Sequence, residues 1–119
     1  MRVKLSTEIK KNLKMMSVLS LTFHTPEDLC QEWETYVKTD LLQMAENLMD
    51  VEKYILSEVA SDMIGEGKNT NLLLIFENDE KRTDFVEIEL INITEIIDAK
   101  FGQEIMIFET HLNPFGSRF

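Results

Sequence analysis

The chain has 119 residues, 44% of them hydrophobic, with 12 basic and 22 acidic side chains and a formal net charge of −10. That length suits one domain able to bury about two-thirds of its unfolded surface. We read residues 1–119 as a single domain with a basic segment at 1–14 and a short tail at 115–119. A single cysteine excludes a disulfide scaffold and a multi-cysteine zinc site, and the acidic balance excludes a general nucleic-acid binder. Ala, Gly, Pro and Arg together number 12 against 43 for Phe, Tyr, Met, Ile, Asn and Lys, the bias of an AT-rich genome such as that of a low-GC bacterium or its phage.

Residues 1–14 carry a net charge of +4, and residues 7–16 have the spacing of a short amphipathic helix, with Ile9, Leu13 and Met16 on one side. The apolar stretch that follows is too short for a membrane span and lacks a small-x-small cleavage site. No signal peptide and no membrane association are therefore expected, and Cys30 is read as a reduced thiol in the cytoplasm. Residues 17–24 alternate, with Leu19, Leu21 and Phe23 opposed to Ser20 and Thr22, and predict a strand.

Thr25-Pro26-Glu27-Asp28 is a helix start: a capping hydroxyl, a proline at the first helical position and two acids at the positive end of the dipole. No Gly or Pro follows until Gly65. Apolar residues recur at Leu29, Trp33, Val37, Leu41, Met44, Leu48, Val51, Ile55, Val59 and Met63, in steps of three or four. This stripe predicts one helix over residues 26–64, roughly 58 Å long, stopped by Gly65-Glu66-Gly67. The alternative is a break near residues 47–50.

Residues 72–76 are wholly apolar and predict a central strand. Residues 84–91 alternate, Val86, Ile88 and Leu90 against Glu87 and Glu89, and predict a second strand closed by a hairpin at 78–81. Residues 92–101 fit a short helix ended by Gly102, and residues 105–108 a further strand. The expected fold class is α+β: a three- to four-stranded, mainly antiparallel sheet packed against one long amphipathic helix.

No motif for nucleophilic catalysis, phosphate binding or metal ligation is present. His24 and Cys30 flank a strand-to-helix junction but read as an ordinary loop histidine and a core thiol. The pairs Glu46/Asp50 and Glu58/Asp62 read as solvated acids rather than metal ligands, so no catalytic residue, metal or cofactor is expected. The informative feature is the charge of the long helix, with ten carboxylates and two lysines between Glu27 and Asp62. Such an excess suggests a basic partner. The sequence is read as a non-enzymatic acidic inhibitor, with DNA mimicry as its extreme form. It would occupy a basic surface of a nuclease or DNA-binding enzyme through Glu46, Asp50, Glu58 and Asp62. The alternative is a structural or adaptor subunit that self-assembles through its helix. In either case the stripe overhangs a sheet of ordinary size, which predicts a homodimer through Trp33, Val37, Leu41, Ile55, Val59 and Met63.

Overall fold

The computed structural model of the chain describes residues 16–60 and 66–118. Its strands are β1 (Ser17–Thr25), β2 (Val51–Glu58), β3 (Lys68–Phe76) and β4 (Met106–Leu112). Helix α1 (residues 27–46) lies between β1 and β2, and helix α2 (residues 79–104) between β3 and β4. The sheet order is β2-β3-β1-β4 and every neighbouring pair is antiparallel. Each helix therefore joins two parallel strands with a third strand inserted between them, the split βαβ arrangement of ferredoxin-like folds. Crossovers of this kind share one hand, so both helices cover the same face. Leu19, Leu21, Phe23, Leu72, Leu74 and Phe76 of the two central strands meet Trp33, Tyr36, Leu41 and Ala45 of α1 and Phe85, Leu90, Ile93, Ile97 and Phe101 of α2 in one core cluster.

The α+β class, the strand at the start of the chain and the central strand at 72–76 agree with the sequence reading. The long helix does not. Helix α1 ends at Glu46, with Asn47 leaving helical geometry at φ −98°, ψ 4°, and the second half of the expected helix is strand β2. The break near 47–50 is the alternative that holds. Stripe positions Val51 and Ile55 also fit a strand, because β2 has apolar side chains on both of its faces. Residues 84–91, expected as a strand, belong to α2. The expected helix over 7–16 falls, but for Met16, outside the described residues.

Both helices contain a π-turn, at Val37–Leu41 and at Phe85–Glu89. A π-turn places one extra residue in the helix. Across it the buried positions step by five, from Tyr36 to Leu41 and from Phe85 to Leu90. In α2 this extra residue hides the 3.6-residue period and leaves an apparent alternation, which is why 84–91 resembled a strand.

Arg82 ties α2 to the sheet. It is buried, and its Nη1 donates to the carbonyls of Val18 (3.1 Å) and Leu112 (3.0 Å), while Nη2 lies 3.5 Å from an Asp79 carboxylate oxygen. Asn78 caps the helix, accepting from the backbone N–H of Lys81 at 2.9 Å. Arg82→Met keeps the apolar stem but strands two carbonyls. It is expected to cost about 2 kcal/mol, read as a drop of roughly 10 °C in the melting temperature. An unchanged melting curve would show that water replaces the guanidinium without loss.

Candidate functional site

A mainly apolar cleft of about 270 Å³ lies between α1 and the β2–β3 edge of the sheet. Trp33 forms its floor. The indole is 2% exposed, and its Nε1–H donates to Thr70 Oγ1 at 3.0 Å. The ring is held on three sides, stacked on Tyr36 with centroids 5.6 Å apart, tilted against Phe23 at 5.4 Å and edge-on to Phe101 at 5.5 Å. A ring fixed by both a hydrogen bond and aromatic contacts makes a preorganised floor.

The walls are apolar, with Val37 and Leu42 on α1 facing Leu56 on β2. Val37 lies in the π-turn of α1, a feature often found at functional sites. Cys30 lines one end, and its thiol donates to the Pro26 carbonyl at 3.4 Å. Charge gathers at the mouth, where Glu34 and Lys38 form an exposed ion pair at 2.9 Å beside Lys68 and Glu58. The hydrogen bond and charge of Lys38, with a smaller contribution from Lys68, hold the Glu34 carboxyl below the usual carboxylate range.

The residues expected to form an acidic helical face do not share one. Glu46 closes α1 and accepts a hydrogen bond from the Tyr54 hydroxyl, which raises the phenol above its usual pKa. Asp50 lies in the turn before β2, and Glu58 is at the end of β2 in the cleft. Asp62 lies outside the described residues, as does Met63. Of the expected interface residues, Trp33 and Leu41 are buried in the protein's own core, and Val37 lines the cleft. Ile55 is exposed on the opposite face of the sheet, and Val59, just beyond β2, is also exposed. His24 and Cys30 are not partners: His24 Nδ1 lies 2.7 Å from Asn69 Oδ1 on the sheet face away from the helices. Among the described residues no cluster of three or more His, Cys, Asp or Glu is placed to hold a metal ion.

Sequence reasoning missed the cleft. Leu42, Leu56, Lys68 and Thr70 come from separate elements, and only the crossing of α1 over the β2–β3 edge brings them together. The one local signal was Trp33, the single tryptophan of the chain.

The profile of a domain family matches residues 16–115. The chain belongs to the DUF4286 family, a domain of unknown function. The match begins one residue before β1 and runs past the end of β4, so the family's domain includes the whole sheet, both helices and the cleft. No curated protein matches the chain. Among solved structures it is similar to a crystal structure from Bacillus cereus described as a candidate antibiotic biosynthesis monooxygenase. The identity is 13% and the TM-score 0.45, over 88% of this chain and 98% of that one.

The expected inhibitor or DNA mimic, and the expectation that the chain is no enzyme, are corrected here. The continuous acidic helix that motivated the inhibitor reading does not exist, and a lack of catalytic motifs in the sequence does not by itself exclude an enzyme. At that identity and TM-score the likeness assigns this chain no activity. The adaptor alternative falls with the helix on which it relied. No helix among the described residues is long and apolar enough to cross a membrane.

Proposed function

We propose that this DUF4286 domain binds a small, mainly apolar molecule in the cleft between α1 and the β2–β3 edge. The observation that carries this reading is the fixed Trp33 floor under apolar walls, with charge confined to the mouth. Ligand sites are typically built this way: apolar surface supplies affinity and a few placed polar groups supply orientation. At about 270 Å³ the cleft exceeds the roughly 150 Å³ that holds a benzene ring and is near the lower limit of drug-sized pockets, about 300 Å³. A substituted single ring or a short branched chain fits that range. A polar substituent on such a ligand would meet Thr70 or Lys68. With Cys30 as its single cysteine, the chain suits the reducing cytoplasm.

Trp33 is a built-in probe of this reading. Titration with indole, benzoate and an anilinonaphthalene dye is expected to change Trp33 fluorescence saturably for at least one of them and to raise the melting temperature, by the linkage of binding to stability. Val37→Glu places a charge on the apolar wall and is expected to weaken that binding at least tenfold with the fold intact. The reading fails if no probe gives a saturable change, or if Val37→Glu binds as well as the native chain.

A further inference from the structure

The mouth of the cleft carries two charges that the fold itself does not use. Glu58 ends β2 and is paired in register with Thr70, whose Oγ1 accepts from the Trp33 indole. Lys68 opens β3, two residues before Thr70. Side chains alternate between the two faces of a strand, so Glu58, Thr70 and Lys68 share the helix side, and all three line the cleft. Glu58 and Lys68 are exposed, and neither makes a hydrogen bond or an ion pair among the described residues. They are diagonal neighbours across the β2–β3 pair, with backbone positions roughly 7–8 Å apart, a gap that a small polar group can bridge.

The other two charges of the mouth are already matched, because Glu34 and Lys38 hold each other at 2.9 Å. One carboxylate and one ammonium therefore remain over the Trp33 floor. Thr70 adds a third group. It is 8% exposed, and its Oγ1 accepts from the indole, but its own O–H has no acceptor among the described residues. A hydroxyl both donates and accepts, so this buried proton is left for a ligand. A ligand with a single charge would satisfy one of Glu58 and Lys68 and be repelled by the other. The chain's net charge of −10 also holds off free anions at long range. A zwitterion satisfies both side chains and carries no net charge into that field.

We infer that the ligand of the cleft is a free α-amino acid with an apolar side chain, an inference that rests on the ligand reading above. Its ammonium meets Glu58, its carboxylate meets Lys68 and the Thr70 hydroxyl, and its side chain lies on Trp33 between Val37 and Leu56. The ammonium and carboxylate of such a molecule hang from one carbon, so both fit between two diagonal strand neighbours. The side chain is bounded by volume. A benzyl or branched aliphatic group suits a cleft of about 270 Å³, since roughly 150 Å³ holds a benzene ring. The division of labour is the usual one for small ligands, with apolar walls giving affinity and a few placed polar groups giving orientation.

Three molecules of one skeleton test this on the full chain: L-phenylalanine, L-phenylalaninamide, which lacks the carboxylate, and 3-phenylpropionate, which lacks the ammonium. Binding is read from Trp33 emission, excited where none of the three absorbs. L-phenylalanine is expected to bind about fivefold more tightly than either analogue, the upper end for charge pairs in contact with solvent. Glu58→Gln is expected to weaken L-phenylalanine and the amide while sparing 3-phenylpropionate. Lys68→Met should do the reverse, weakening L-phenylalanine and 3-phenylpropionate while sparing the amide. Neither substitution removes a hydrogen bond or ion pair within the described residues, so the melting temperature of the free protein should not change. Equal affinity for the three molecules, or variants that weaken all three alike, overturns the inference and leaves an uncharged apolar ligand in the cleft. A series that fails to bind where indole binds overturns it equally. Failure of indole as well removes the ligand reading along with it.

Discussion

Phe101→Ala is expected to destabilise the protein by about 3–5 kcal/mol, the usual cost of deleting a buried aromatic ring. Phe101 is the last residue of the regular α-helical part of α2 and the point where the two helices meet. Its ring stands edge-on to Trp33 at 5.5 Å and to Tyr36 at 5.3 Å, and the Lys100 ammonium lies over both the Tyr36 and Phe101 rings. The neighbouring rings are anchored on α1 and cannot close the gap without moving that helix, which places the cost near the upper end of the range. Urea unfolding is the appropriate measurement. Trp33 emission should shift to the red in the native baseline, because a wall of its site has been removed. Phe101→Leu should recover more than half of the loss. A cost under about 1 kcal/mol would mean that the aromatic cluster repacks freely, and the description of Trp33 as a fixed floor would then be wrong.

Gly67→Ala comes next in size, at roughly 3 kcal/mol. Gly67 immediately precedes β3 and has φ +105°. A methyl group built there would sit 1.9 Å from the Thr25 carbonyl oxygen, at the end of β1. Backbone occupies the required space, so rotation of a side chain cannot relieve the clash. Thr25 and Lys68 must either separate or force the turn into another conformation. Gly102→Ala is the internal comparison. Gly102 also has positive φ, +68°, but no atom lies within 4 Å of its virtual methyl, so only the backbone term remains, about 1–2 kcal/mol. The difference between the two variants in thermal unfolding isolates the steric part. Equal losses would show that the β1–β3 end relaxes around the methyl group.

Those residues also show how far the fold could be read in advance. The strand at 17–24 was legible because Leu19, Leu21 and Phe23 face one core while Ser20 and Thr22 face away from it, a strict period of two. The central strand was legible from its unbroken apolar run. The middle of the chain was misread because Leu48, Val51, Ile55 and Val59 keep helical spacing by coincidence. The turn at 47–50 contains no Gly or Pro to punctuate it, so local chemistry gave no reason to prefer the break. Pairing with β3, a contact between distant residues, decides that Val51–Glu58 is a strand. The cleft was invisible for the same reason. Its wall and floor residues carry no spacing of their own and become a site only when α1 crosses the sheet.

The π-turn in α1 has a consequence for how the binding side of the helix is set. One residue advances an α-helix by about 100°. The extra residue within Val37–Leu41 therefore rotates everything before it by that angle relative to everything after it. Trp33 and Tyr36 on one side of the turn, and Leu41 and Ala45 on the other, all reach the core, which a regular helix with these residues would not allow. Removing one residue from the turn would restore a regular α-helix at the expense of this phase. Either the indole or the Leu41–Ala45 pair would then swing out toward solvent. Chain length in this stretch therefore decides which side of the helix lines the cleft: a chain one residue shorter here would keep the helix but turn a different side of it inward.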